Sequence, residues 1–119
     1  MNLFFDELSQ AIILDAKKEM YDLKHPYVGS EHLFLSILKH SDLDITKVLN
    51  SYGISYDQFR KELVSVIGYG SQNNDWFLFT PLLRNILNHA SYYSESSDKI
   101  ITPKCLLISI LQEGDGVAA

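Results

Sequence analysis

Val28-Gly29-Ser30-Glu31-His32-Leu33-Phe34-Leu35-Ser36-Ile37-Leu38-Lys39 decides the fold, because the chain writes it twice. At an offset of 73 it returns as Ile101-Thr102-Pro103-Lys104-Cys105-Leu106-Leu107-Ile108-Ser109-Ile110-Leu111, with Leu33, Ser36, Ile37 and Leu38 kept as Leu106, Ser109, Ile110 and Leu111. The first copy is apolar nearly all round, the pattern of a helix buried on every side. Gly29-Ser30 offers it an N-cap, and Glu31 sits in its first turn, where a carboxylate complements the helix dipole. A second matching block lies upstream of each copy. At an offset of 74, Phe5, Leu8, Ile12 and Ala16 fall on Phe79, Leu82, Ile86 and Ala90. Two blocks in one order at nearly one offset, each opened by capping chemistry, mark an internal repeat.

Working outward, Leu8, Ile12, Ile13, Ala16 and Met20 recur at three- and four-residue steps, while Asp15, Lys17, Lys18 and Glu19 fall off that face. This predicts an amphipathic helix of about five turns, stopped near His25-Pro26. Ile45, Val48 and Leu49 predict a short third helix ending at Tyr52-Gly53. Ser55 and Gln58 stand at capping-box spacing before a fourth helix carrying Phe59, Leu63, Val66 and Ile67. Gly68 to Asp75 is rich in glycine and amides and reads as a linker. Thr80-Pro81 and Thr102-Pro103 each place an N-cap before an N1 proline and open two further helices. Sustained two-residue alternation is missing. The predicted class is all-α, two pseudo-symmetric repeats of a four-helix unit with the second incomplete at its C-terminal end. One domain is expected over 1–119, divided into repeat one (1–67), a linker (68–78) and a partial repeat two (79–119). Packing the two copies across a pseudo-twofold axis would bury both central helices and leave a groove at the seam for a peptide or partner protein.

Composition narrows the function classes. The chain has 119 residues, 46% of them hydrophobic, and 15 acidic against 10 basic side chains give a net charge of −5. Nucleic acid would be repelled by that balance, and no basic stripe interrupts it. One cysteine, Cys105, precludes an intrachain disulfide. Asp6, Glu7 and Asp15 among the first apolar residues are unlike a signal peptide, and no apolar run approaches the ~20 residues of a membrane span. The expected setting is cytoplasmic and soluble.

Tyr27-Val28-Gly29-Ser30-Glu31-His32-Leu33, Phe79-Thr80-Pro81 and Glu113-Gly114-Asp115-Gly116-Val117-Ala118-Ala119 resemble motifs of the N-terminal domain of Clp-type AAA+ unfoldases, most of all the ClpC branch. The resemblance runs along the whole chain. It implies a non-catalytic domain that recognises protein substrates or adaptor proteins for an ATP-dependent unfoldase and protease, needing no cofactor. In that family the second repeat continues beyond its "GVAA" stretch, and two full repeats would need about 148 residues, roughly 29 more than the 119 here. A fragment of a longer protein is the favoured reading, and a free-standing adaptor or decoy the alternative. Missing counterparts of Val48, Leu49, Phe59 and Leu63 would leave apolar surface on the last two helices open, or covered by self-association.

Resemblance to the ClpC branch also implies phosphoarginine recognition: the glutamate of the second-helix block holds the guanidinium, with a threonine at the start of the first helix. Here the glutamate is Glu31 while the threonine position is Asp6; in the second repeat Thr80 is kept while the glutamate position is Lys104. Paired within each repeat, neither site is complete. Two readings of Glu31 therefore stand, a dipole-complementing carboxylate and a guanidinium acceptor.

Other chemistry finds little support. The P-loop pattern does not occur. His25, His32, His40 and His89 lack metal-ligand helical spacing, so no metal is expected, and His32 reads as a half-buried packing residue with Cys105 as its repeat counterpart. Ser30, Glu31 and His32 are neighbours on one helix, about 100° apart, and cannot form a relay among themselves, so no catalytic residue is assigned. Cys105 in its apolar run reads as a small core hydrophobe. Trp76 to Phe79 would either close the inter-repeat groove or serve as an exposed anchor. Tyr92-Tyr93 with Asp98-Lys99 marks a polar-aromatic loop without specific chemistry.

Overall fold

The computed structural model describes residues 4–71 and 77–113. In order these form α1 (Glu7–Asp22), α2 (Ser30–Lys39), α3 (Asp44–Ser51), α4 (Tyr56–Ile67), α5 (Pro81–His89), a 3-10 turn (Ala90–Tyr93) and α6 (Pro103–Glu113). Among the described residues there is no strand, only two isolated bridges. No described helix is long and apolar enough to cross a membrane.

One hydrophobic core holds both repeats. Ile12, Ala16 and Met20 of α1, Leu33 and Ile37 of α2, Leu83 and Ile86 of α5, and Leu106 and Ile110 of α6 belong to a single buried cluster. Its hydrogen bonds repeat with the sequence. Ser36 Oγ on α2 donates to the Ile12 carbonyl on α1 at 2.7 Å, and Ser109 Oγ on α6 donates to the Ile86 carbonyl on α5 at 2.7 Å. Each serine lets its helix approach the preceding one closely while its own buried hydroxyl stays paired. On the far side of α2, Leu35 packs with Leu23 and Leu63, and Phe34 meets Phe59 edge-on at 4.9 Å. This makes α2 the most enclosed element, as its composition predicts.

The inward stripe of α1 differs from the predicted one. Leu8 is exposed, and Ser9, Ile12, Ala16, Glu19 and Met20 face inward. Ser9 is buried because its Oγ donates to the Ile101 carbonyl at 3.0 Å. Glu19, placed on the solvent face by its charge, is 2% exposed. Its carboxylate is satisfied by the Tyr56 hydroxyl, 2.8 Å from both oxygens, and by Lys39 Nζ at 3.6 Å. Burial, then the neighbouring carboxylate, pushes the Tyr56 phenol well above its ordinary range. Tyr56→Phe would strip a buried anion of its donor, and a loss of about 1.5–3 kcal/mol in urea unfolding is the expected result. A variant as stable as the parent would show that Lys39 alone satisfies Glu19.

On α4 the inward face is narrower than predicted: Leu63 is buried, but Val66 and Ile67 are exposed. On α6, Leu106, Leu107 and Ile110 are buried against α5, α2 and α1, and Leu111 is its exposed large apolar residue.

Candidate functional site

The seam between the repeats is built by a reciprocal exchange of backbone. Val28, just before α2, donates to Leu78 O at 2.8 Å and accepts from Thr80 N at 2.9 Å. Ile101, just before α6, donates to Phe4 O at 2.7 Å and accepts from Asp6 N at 3.0 Å. Phe5 and Phe79 correspond across the repeat, as do Val28 and Ile101, so the two bridges are pseudo-twofold copies. The start of each repeat's first helix is therefore tied to the start of the other repeat's second helix. Thr80 enters register three residues ahead of Glu31, and Asp6 three residues ahead of Lys104. This crossing differs from a pairing within each repeat, Asp6 with Glu31 and Thr80 with Lys104: the backbone contact of Thr80 is to Val28, in the segment that leads to Glu31.

Both first-helix residues are N-caps. Asp6 Oδ1 accepts from Ser9 N at 2.7 Å, and Thr80 Oγ1 accepts from Leu83 N at 3.1 Å. The Glu31 carboxylate folds back over Gly29, where a Cβ would lie only 2.5 Å from Oε1. Glycine at 29 thus leaves the space that the carboxylate fills, and Glu31 keeps 17% of its side chain exposed. The Lys104 side chain is exposed, its Nζ 3.6 Å from Glu95.

The α2 cap is not the one its sequence suggests. Gly29 is the N-cap and Ser30 the first helical residue, its Oγ buried without a protein partner among the described residues. His32 substitutes for a capping side chain: its Nδ1 accepts from Gly29 N at 2.8 Å. His32 Nε2 lies 2.7 Å from His25 Nδ1, and His25 Nε2 lies 2.8 Å from the Gly68 carbonyl. These contacts assign the tautomers, because a ring nitrogen that accepts from an amide carries no proton. His32 donates through Nε2 to His25, and His25 donates through Nε2 to Gly68. The two rings form one relay from the α2 N-terminus past the end of α1 to the linker. His32 is fully buried rather than half-buried, and burial first, with His25 second, lowers its pKa from 6.5 to about 3. Spacing along the chain hides this pair, since His25 lies beyond the end of α1, where the backbone turns back. The one available signal is that position N3, three after the cap, commonly carries a side chain that accepts from the cap amide.

Among the described residues no group of His, Cys, Asp and Glu could hold a metal. Cys105, the counterpart of His32, is buried, with its Sγ 3.3 Å from Thr102 Oγ1. The aromatic cluster before α5 divides. Phe79 packs on the core and Leu78 is 54% exposed, while Trp76 lies outside the described residues, as does the stretch from Gly114 to Ala119.

The sequence model of the Clp repeat (R) N-terminal domain matches residues 4–119. The chain belongs to that family. It is 25% identical over 116 residues to the Bacillus subtilis ClpC/MecB protein, named a negative regulator of genetic competence; the match covers 97% of this chain and 14% of that one. The domain thus spans a small part of that relative's length. Among solved structures, the N-domain of ClpV from Vibrio cholerae superposes with a TM-score of 0.75 at 21% identity, covering 93% of this chain and 68% of the other. A ClpV N-domain in complex with a VipB peptide gives 0.71 at 22%, covering 93% and 69%. These neighbours share the all-helical Clp N-domain fold.

Proposed function

We propose that this Clp repeat domain receives protein substrates or adaptor proteins for an ATP-dependent unfoldase, and that Thr80 and Glu31 form its gripping site. The Thr80–Val28 hydrogen bond carries the reading, since it sets the α5 N-terminus beside the block bearing Glu31. A carboxylate matches the guanidinium fork, and the positive end of a helix dipole suits a phosphate, which together fit phosphoarginine on a substrate. The complex of a ClpV N-domain with a VipB peptide supports peptide docking on this fold.

The other seam position has the reverse charges. Asp6 would repel a phosphate and Lys104 a guanidinium. A phosphoarginine peptide is therefore expected to bind at one equivalent per domain by calorimetry. Glu31→Gln should weaken it about tenfold or more, the scale of a charge-assisted bond. Lys104→Ala should leave it unchanged. Gly29→Ala offers a second test, because the new methyl displaces the Glu31 carboxylate without removing it. Two equivalents, or affinity indifferent to Glu31, would reject the site.

A further inference from the structure

We infer that His25 is a positioning residue for the Glu31 carboxylate: through His32 it makes the place of that carboxylate depend on a strap, residues 68–70, that joins the end of α4 to the end of α1. The inference rests on Glu31 being a gripping residue and adds the regulation of that site.

The strap is held at both ends. Gly68 N donates to Val64 O at 2.8 Å as α4 ends, and Gly70 N donates to Leu23 O at 2.9 Å as α1 ends. A Cβ at Gly70 would stand 1.3 Å from the Lys24 carbonyl oxygen, so glycine alone fits the strap there. Lys24 itself is left-handed, with φ +59, and turns the chain back to His25, whose Nε2 donates to Gly68 O at 2.8 Å. Direction lets the relay transmit. A carbonyl can only accept, so His25 carries its proton on Nε2 and offers Nδ1 as an acceptor. His32 Nε2 donates to that Nδ1 at 2.7 Å, which leaves His32 Nδ1 to accept from Gly29 N at 2.8 Å. Without the carbonyl, nothing holds the His25 proton on Nε2. A proton on Nδ1 would face the His32 Nε2 proton, and relieving that clash puts a proton on His32 Nδ1, against the Gly29 amide. His25 and His32 are 6% and 0% exposed, so bulk water does not replace a lost partner.

Gly29 is the surface on which the Glu31 carboxylate lies. A Cβ there would meet Oε1, Oε2 and Cδ at 2.5, 2.6 and 2.7 Å, and Oε1 lies 3.7 Å from His32 Nδ1. While Nδ1 is an acceptor, it holds Gly29 and offers the carboxylate no bond. Carrying a proton, it would draw the carboxylate to itself and away from a ligand. An open strap therefore takes the carboxylate from the site. By reciprocity, a ligand that holds Glu31 in place favours the closed strap by the same factor.

The test uses the isotope-labelled 119-residue chain, alone and with a phosphoarginine peptide. Gly70→Ala dislodges the strap from Lys24. With no peptide present it should shift the Gly29 amide signal, and the His32 ring-nitrogen resonances should move away from those of a protonated Nε2. The same variant should weaken the peptide about fivefold or more, the lower end of coupling between sites. His25→Phe, which keeps a ring but loses both nitrogens, should act alike. His25→Gln should bind like the parent, because one amide supplies the acceptor for His32 and the donor for Gly68. Tyr56→Phe, which lowers stability away from the relay, should also bind like the parent. If Gly70→Ala does not fold, the two His25 variants decide. Gly29 and His32 signals that ignore the strap and His25→Phe, or a His25→Gln as weak as His25→Phe, would overturn the inference. A parent indifferent to the peptide would reject the gripping site alone, since the amide and ring signals judge the relay without ligand.

Discussion

His32→Ala is expected to destabilise the domain by about 3–5 kcal/mol, because it removes a fully buried ring and leaves the Gly29 amide without an acceptor. The loss extends along the relay, since His25 then has no donor for its Nδ1 and its hold on the Gly68 carbonyl loosens. His32 also makes stability depend on pH. Its folded pKa of about 3 lies below the unfolded value of 6.5, so between these limits the unfolded chain binds the extra proton. Stability therefore falls as pH drops from 6.5 towards 3, by about 1.4 kcal/mol per pH unit from this one group. Carboxylates add their own acid dependence, so the informative comparison is with His32→Gln. Glutamine can accept from the Gly29 amide but does not titrate. Urea unfolding at pH 6 and pH 4 should show the parent losing about one proton's worth of stability per pH unit more than His32→Gln. Parallel slopes would mean that His32 is protonated in the folded state.

Leu106→Ala should cost about 2–5 kcal/mol, a large share of the ~5–15 kcal/mol that holds a domain of this size together. Leu106 lies at 0% exposure in a cluster with residues of α1, α2 and α5, so a cavity there is a cavity in both repeats at once. Leu111→Ala is the internal control: it stands on the same helix at 56% exposure and should change stability by about 0.5 kcal/mol or less. Because the core is shared, Leu106→Ala should keep a single unfolding transition with a lower midpoint. Two transitions, one retaining the signal of α1 to α4, would show that the repeats fold independently.

Amphipathic period and capping chemistry made the helices legible. Ser55 accepts from Gln58 N and Thr80 from Leu83 N, each where its sequence placed a cap. The departures fall where a polar group is buried with a distant partner. Glu19 looks like a solvent residue until Tyr56, 37 positions away, supplies its hydrogen bond. Ser9 looks like surface until the Ile101 carbonyl receives its hydroxyl. No local pattern encodes such a partner, since the energy that keeps the group inside comes from the far end of the chain.

The candidate site follows the same division. Asp6, Glu31, Thr80 and Lys104 became candidates through the resemblance to the ClpC branch, and the duplicated motifs only related the positions of one half to those of the other. Which segments of the two halves lie side by side was decided by tertiary structure alone. A repeat read in line pairs each threonine position with the glutamate of its own half. Two halves packed about a pseudo-twofold axis tie it instead to the segment before the other half's second helix, because the extended residues before each helix have backbone groups that a short segment cannot satisfy by itself. Val28 and Ile101 supply them from across the seam, and that exchange ties Thr80 to Val28, three residues before Glu31.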